Sequence, residues 1–314
     1  MVAYNMPQQA MNTLYSLSTT YQKGVSSEDY EVLVMENNSP NKLKPEAVAA
    51  LGSNFHYHLR QEPGVSPAPA INEALARSRG SSIGLLVDGA RMLTPGVIKY
   101  ALQALACPDA VITVPGYYLT ERGKTEQGTR ELEALEILKY EQGILRENNW
   151  MSDGYQLFRH ACFSNGNRHG FLEPMMECNA LFCHRALLER LGGADEQFSL
   201  KGGGALNLHM YRQLATSDGT QLTTLPGEGN FHQFHGGTST TPGGDRDALV
   251  KTFKTQLDKF WPSGFKAVRR EPSLLGTVGH QALPFLQASV QSSLTRLERF
   301  RRESRNPWED EPKQ

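Results

Sequence analysis

The chain has 314 residues, of which 39% are hydrophobic and 21% charged, and its formal net charge at pH 7 is -1. This length and composition fit one large α/β domain or two smaller ones, and they exclude fibrous and strongly disordered classes. No basic excess points to nucleic acid, and no long apolar run or signal peptide is present, so we expect a cytoplasmic protein without a transmembrane segment or nucleic-acid partner.

The first half of the chain alternates short apolar runs with helical patterns. The runs predict strands at residues 2–5, 30–37, 54–60, 82–88 and 110–118. Apolar spacing and Gly or Pro punctuation predict helices at residues 12–23, 68–79 and 95–106. Strands that alternate with helices favour an α/β fold with a parallel sheet and right-handed crossovers.

The second half is less regular. Helices are predicted at residues 129–146, 185–191, 205–214, 245–260 and 283–305. Residues 148–168 are predicted to form a long loop, a kind of segment that is often functional, and "TQLTTLP" is a strand before a Gly- and His-rich loop. We therefore expect a domain at 1–245, a C-terminal helical extension at 246–305 and a disordered tail at 306–314.

The four cysteines, Cys107, Cys162, Cys178 and Cys183, form no C-x-x-C pair. A zinc site would need tighter spacing or histidines in register. Free thiols in a reducing compartment are the favoured interpretation.

Polar side chains follow three of the predicted strands. Tyr4 and Asn5 follow the first, Glu36 to Ser39 the second, and Asp88 ends the buried run "SIGLLVD". Each site alone is equally typical of a turn or a helix cap. In a parallel sheet, however, the three strand ends share one edge, where α/β proteins bind ligands. We therefore expect a ligand site there, with Asp88 binding a divalent ion such as Mg²⁺ or Mn²⁺.

The segment "GNFHQFHGG" places His232 and His235 just past a strand, beside glycines that allow close backbone approach. Either ring is a candidate metal ligand, His235 ahead of His232, and the alternative is a pair of ordinary loop histidines. Because imidazole binds several transition ions, the identity of the metal stays open.

The order of these segments resembles family 2 glycosyltransferases of the GT-A fold. "VAYNMPQQAMNTLYSLS" resembles the opening strand and helix, and "EVLVMENNSP" the strand whose acids contact the base. "APAINEALARSRGSSIGLLVDGARMLTPGVI" is similar to the helix, strand and metal-binding Asp-x-Asp region. "MECNALFCHRALLERLGGADEQF" is similar to the acceptor-side segment. The resemblance covers roughly residues 1 to 240 and rests on order and spacing, because no single motif is specific.

The resemblance implies a Rossmann-like, mostly parallel central sheet flanked by helices, with C-terminal helices, and it assigns roles to residues. Tyr4 and Asn5 would line the nucleotide pocket, and Glu36 and Asn37 would approach the base and ribose. The remaining assignments are Asn72 near the diphosphate, Asp88 with His235 on the metal, and Asp195 with Glu196 near the acceptor.

The chain departs from the family pattern at three places. Ala90 replaces the second metal-motif acid, and Asn37 replaces a base-contacting Asp. Residues 202–204 are glycines where inverting members carry the acid that deprotonates the acceptor. Glu177, Asp195 or Glu228 would then serve as the base, or transfer would be slow or absent. The first strand is also short, so it is truncated or begins upstream, which we expect to cost core contacts.

These observations predict a metal-dependent, inverting glycosyltransferase. It would move a sugar from a nucleotide-diphosphate sugar to a hydroxyl of a glycan, lipid or small molecule. The alternative is a catalytically inactive nucleotide-sugar-binding or partner-binding domain, favoured by the glycines and by Ala90. A nucleotidyltransferase is less favoured, since residues 6–9 are not glycine-rich. The oligomeric state stays open.

Overall fold

The computed structural model describes residues 1–61, 64–119, 134–235 and 246–308. Its strands, in chain order, are β1 (Val2–Ala3), β2 (Val32–Glu36), β3 (Phe55–Leu59), β4 (Ser82–Leu86), β5 (Arg91–Leu93), β6 (Ala110–Thr113), β7 (Gly116–Leu119), β8 (Ala161–Phe163), β9 (Ala180–His184), β10 (Gln221–Thr224), β11 (Asn230–His232) and β12 (Ser273–Leu274).

The α-helices are interspersed with these strands along the chain, and the last helix follows the last strand. They are α1 (Pro7–Ser16), α2 (Pro45–Ala49), α3 (Ala68–Arg77), α4 (Val97–Ala104), α5 (Ala134–Glu147), α6 (Arg185–Arg190), α7 (Leu206–Thr216), α8 (Arg246–Phe260) and α9 (Leu283–Arg302). Short 3₁₀ turns lie at Gly154–His160, Asn165–Asn167 and Lys201–Gly203.

The strands form three hydrogen-bonded sheets. The first, in the order β1-β2-β3, is entirely parallel. The second has the order β12-β10-β6-β9-β4, in which β9 runs antiparallel to both neighbours. The third has the order β5-β11-β7-β8, with β11 and β7 parallel and the outer strands antiparallel. The predicted α/β fold, with parallel strands flanked by helices and C-terminal helices, is confirmed.

Two predicted elements in the first half differ most from the structure. The helix predicted at residues 12–23 begins at Pro7, whose fixed φ suits a first turn, and ends at Ser16. The chain folds back there, because the side-chain Nε2 of Gln22 donates to the carbonyls of Ser16 and Thr94 at 2.7 and 3.0 Å. The strand predicted at 110–118 is divided into β6 and β7, since Pro115 has no N–H to continue a ladder.

The loops predicted in the second half contain strands. β8 lies within residues 148–168, and β11 lies within the Gly- and His-rich segment. No strand was predicted at β9, which runs antiparallel to β4 and β6 within the mostly parallel arrangement, because its direction depends on contacts far along the chain. Residues 129–133 of one predicted helix, residues 236 and 237 of the histidine-rich loop, and residues 309–314 of the predicted tail lie outside the described residues.

The C-terminal segment packs against the sheets. β12 pairs with β10, and Leu257 of α8 is buried in the core beside β9 and α7. At the start of α9, Phe285 lies 4.8 Å, ring centroid to centroid, from the buried Tyr117 of β7. The four cysteines are free thiols, as predicted. Within the described ranges, no helix has both the length and the hydropathy to cross a bilayer.

Candidate functional site

A cavity of about 430 Å³ opens where β1, β2 and β4 end. Tyr4 and Asn5 follow β1, Asn37 follows β2 and Asp88 follows β4, and all four line this cavity. The polar residues predicted to share one sheet edge are thus brought together. A second cavity, of about 280 Å³, lies between β2 and β4, but its walls are mainly apolar and it gathers no comparable polar cluster.

Asp88 has two roles in this arrangement, one for each carboxylate oxygen. Oδ1 accepts a hydrogen bond from the backbone nitrogen of Ala90 at 3.0 Å, which forms the turn between β4 and β5. Oδ2 lies 3.0 Å from His232 Nε2 and 3.4 Å from His235 Nε2. The two interpretations of Asp88, a turn residue and a ligand, therefore describe different atoms of one side chain.

The pairing of β11 with β5 carries the histidines to this carboxylate. In the antiparallel register, His232 stands opposite Arg91, three residues after Asp88. Burial, and then the Arg91 guanidinium, lower the pKa of His232 to about 4, so its ring is neutral at pH 7. Burial alone would raise the pKa of Asp88, but His235 and His232 outweigh it and hold that pKa well below its usual range.

The Asp88, His232 and His235 side chains fit a divalent metal ion. Their ligand atoms all lie within 4.8 Å of one another. The buried Nε2 of His232 has no hydrogen-bond partner among the described residues, although it is close to Asp88. A neutral imidazole and an ionised carboxylate are the forms that bind metals. One oxygen and two nitrogen donors suit a first-row transition ion better than Mg²⁺, which prefers oxygen.

The two residues between the histidines are held by helices on either side. The Phe234 nitrogen donates to Glu141 Oε2 of α5 at 2.7 Å, and the Phe234 carbonyl accepts from Gln9 Nε2 of α1 at 2.9 Å. The Gln233 nitrogen donates to the Ala90 carbonyl at 2.9 Å, which ties this segment to the Asp88 turn. These bonds fix the backbone that carries both rings.

Glu141 makes this segment sensitive to pH through its effect on stability. Burial raises the pKa of Glu141 to about 8, although the Phe234 N–H opposes the shift. Between pH 4.5 and about pH 8 the folded protein keeps the Glu141 proton, whereas the unfolded chain loses it near pH 4.5. The protonated carboxyl therefore contributes to the free energy of unfolding at low pH, and this contribution is lost as the pH rises through 8.

Glu141→Gln is expected to flatten this pH dependence. Between pH 5 and pH 8 the wild type should lose about 2–4 kcal/mol more unfolding free energy than the variant, because glutamine stays neutral and its Oε1 can accept from Phe234. Urea unfolding at both pH values measures the difference. Glu147→Gln, at an exposed position on α5, is the control, and a variant as pH-dependent as the wild type would contradict the assignment.

Tyr4, Asn5 and Asn37 also line the cavity. Asn37 is buried, donates from Nδ2 to the Ser66 carbonyl at 3.0 Å and accepts from Arg60 Nη1 at 2.9 Å. Asn5 adopts a left-handed conformation with φ of 57°, and its Oδ1 accepts from Asn41 Nδ2 at 2.9 Å. Tyr4 is half-buried. These side chains leave a polar, partly rigid wall beside the Asp88 cluster.

Two residues predicted to touch the nucleotide are engaged elsewhere and do not line the cavity. Glu36 Oε2 accepts from the Leu43 nitrogen at 3.0 Å and from Tyr57 Oη at 2.7 Å. Asn72 pairs with the backbone of Ala194 in both directions, at 2.8 and 2.9 Å. Each therefore has a structural set of partners in this conformation.

Three acids predicted near the acceptor or as candidate bases also do not line the cavity. Asp195 Oδ1 accepts from the Gln197 nitrogen at 2.9 Å, and Glu196 accepts from Asn72 Nδ2 at 2.9 Å. Glu228 is buried beside α4, where it accepts from Thr94 Oγ1, the Gly96 nitrogen and Tyr155 Oη, and burial raises its pKa to about 7.

Glu177 does line the cavity, as the second carboxylate there besides Asp88 among the described residues. It accepts a hydrogen bond from Asn207 Nδ2. Burial raises its pKa, and the Asp88 charge acts in the same direction, while Arg91, Asn207 and Asn179 oppose it.

The sequence analysis missed six polar residues of the cavity. They are Arg91, Tyr118, Asn165, Asn179, Lys201 and Asn207. Arg91 is buried, and its Nε lies 3.6 Å from Asp88 Oδ2. A charged residue at the head of the apolar segment "RML" was the one available signal, because arginine in a buried strand needs a partner.

Comparisons with known proteins find similarity in architecture. No family model and no curated protein sequence matches the chain. The crystal structure of S. aureus TarS 1-349 matches with TM-score 0.46 and 14% identity, over 95% of this chain and 72% of that one. The same protein in complex with UDP-GlcNAc gives TM-score 0.47 and 14% identity, over 95% and 73%.

A mannosyltransferase gives a similar match. PcManGT from Pyrobaculum calidifontis, in complex with GDP-Man and Mn²⁺, has TM-score 0.49 and 16% identity, over 98% of this chain and 75% of that one. All three TM-scores lie below 0.5, and all three identities lie below 25%. These matches therefore assign no function to the chain.

Proposed function

We propose that this protein binds a nucleotide-diphosphate sugar together with a divalent metal ion and transfers the sugar to an acceptor hydroxyl. The observation that carries the proposal is the convergence of Asp88, His232 and His235 in a cavity that Tyr4, Asn5 and Asn37 also line. A metal-ligand set in a polar cavity where several strands end suits a nucleotide diphosphate.

The positions of these residues suggest a role for each. Asp88, His232 and His235 would hold the ion, which when bound supplies positive charge that neutralises the leaving diphosphate. Tyr4 offers an aromatic face and a hydroxyl to the nucleoside, and Asn5 and Asn37 offer amide groups. An inverting displacement would then need one more group, a base for the acceptor hydroxyl.

A second candidate function is nucleotide-sugar binding without catalysis. It is favoured by Ala90 and by the glycines at 202–204, which stand where the resembled family carries acids. Turnover separates the two candidates, because both require donor binding and only the enzyme releases nucleotide.

Calorimetric titration of UDP and GDP, with and without Mn²⁺, tests donor binding. We expect Mn²⁺-dependent binding of at least one nucleotide, followed by nucleotide release from UDP-N-acetylglucosamine, GDP-mannose or another UDP- or GDP-linked sugar. Failure of both nucleotides to bind with any divalent ion would contradict the donor site. Binding without release from any of the sugars tested would favour the non-catalytic function.

A further inference from the structure

The loop at 201–204 has no carboxylate, yet it forms part of the cavity wall. Gly202, Gly203 and Gly204 all have positive φ values, 68°, 79° and 59°, and no side chain to offer an acceptor. The helix α7 follows directly, and its Asn207 lines the cavity. If the protein transfers sugar to a hydroxyl, the general base that deprotonates that hydroxyl must come from another element that lines the cavity beside the loop at 201–204.

Glu177 reaches it from the segment before β9. The carboxylate accepts from Asn207 Nδ2, so it lies beside the first turn of α7, three residues past the last glycine. The same Asn207 amide donates to Asn179 Oδ1 at 3.0 Å, which fixes its orientation. Gly166 allows this placement, because a Cβ there would overlap Glu177 Cγ.

The other candidate acids lack this placement. Asp195 and Glu228 do not line the cavity, and each has its own backbone partner elsewhere. Asp88 faces the two histidines and would be occupied by the metal. Among the described residues, Glu177 is therefore the carboxylate of the cavity that remains available to a substrate.

We propose that Glu177 is the general base of the transfer and that Asn207 is its positioning residue; this inference rests on the proposed function. Glu177 takes the proton of the acceptor hydroxyl as that oxygen forms a bond to the anomeric carbon of the sugar. The bond from that carbon to the diphosphate breaks, and its electron pair leaves with the nucleotide diphosphate. The charged groups that act on Glu177 are Arg91 and Asp88, so its protonation state depends on both.

Glu177→Gln tests the assignment with water as the acceptor. Nucleotide release from UDP-N-acetylglucosamine, GDP-mannose and other UDP- and GDP-linked sugars is measured across pH, alongside binding of UDP, GDP and Mn²⁺. We expect kcat to fall about 100-fold or more, with unchanged nucleotide and Mn²⁺ affinity and without the acidic limb of the wild-type pH profile. Asn207→Ala should retain partial activity and move that limb to a different pH.

Glu173→Gln is the matched control, because Glu173 precedes Glu177 on the same segment, pairs with Arg296 at 3.5 Å and does not line the cavity. It should keep wild-type turnover. Retained turnover in Glu177→Gln would overturn the proposal, and so would weakened Mn²⁺ binding, which would make Glu177 a metal ligand. If the wild type binds Mn²⁺ and nucleotide but releases no nucleotide from any of these sugars, the assignment of Glu177 as the base is wrong and the donor site stands. If the wild type binds neither, the proposed function is wrong.

Discussion

Asp88→Asn is expected to abolish Mn²⁺-dependent binding of UDP or GDP, with a loss of affinity greater than about 100-fold. The estimate is a lower limit, since removing even an outer-shell partner of a metal typically costs 10- to 100-fold. Asparagine keeps the size of the side chain and the Oδ1 atom that accepts from the Ala90 nitrogen. It removes the negative charge that two histidines and Arg91 surround.

Calorimetry with and without Mn²⁺ measures this effect, and thermal unfolding checks that the variant is folded. The matched control is Asp258→Asn on α8, where an accessible aspartate pairs with Lys254 at 2.7 Å, away from the cavity. It should bind as the wild type does. If Asp88→Asn bound the metal–nucleotide complex within threefold of the wild type, Asp88 would be only a turn residue.

The strand ends were predictable from the sequence because they are local features, and an apolar run that stops at a polar residue indicates where β2 or β4 ends. The single shared sheet edge was not found: β1 and β2 lie in the first sheet and β4 in the second, and their ends meet at the cavity between them. The direction of each side chain was less predictable. Glu36 and Asn37 are neighbours on an extended chain and point to opposite sides, so only Asn37 faces the cavity.

Contacts between distant segments explain the remaining differences. Arg91 reaches the site through the pairing of β5 with β11, which joins residues about 140 positions apart. Glu177 reaches it through Asn207 on a later helix. Neither pairing leaves a periodic pattern in the sequence, so residue type and spacing could suggest Glu177 only as one of several acids and Arg91 only as a charged residue at the head of an apolar segment.

The nitrogen ligands lead to a prediction about metal preference that is independent of turnover. We expect the protein, without nucleotide, to bind divalent ions with affinity that increases in the order Mg²⁺, Mn²⁺, Co²⁺, and to bind Mn²⁺ at least about tenfold more tightly than Mg²⁺. The reason lies in Ala90 and His232. Where the resembled family has a second acid, Ala90 contributes backbone bonds to Asp88 and Gln233, and His232 supplies a nitrogen instead.

Calorimetry and Mn²⁺ electron paramagnetic resonance measure the metal affinities of the wild type and of His232→Ala and so test this preference. The variant should bind Mn²⁺ about 10- to 100-fold more weakly and lose most of its discrimination against Mg²⁺, because one carboxylate and one imidazole remain. His280→Ala, at an exposed position outside the cavity, controls for the general loss of an imidazole. Equal affinities for Mg²⁺ and Mn²⁺ in the wild type would show that oxygen donors dominate the site, and the assignment of His232 as a ligand would then be wrong.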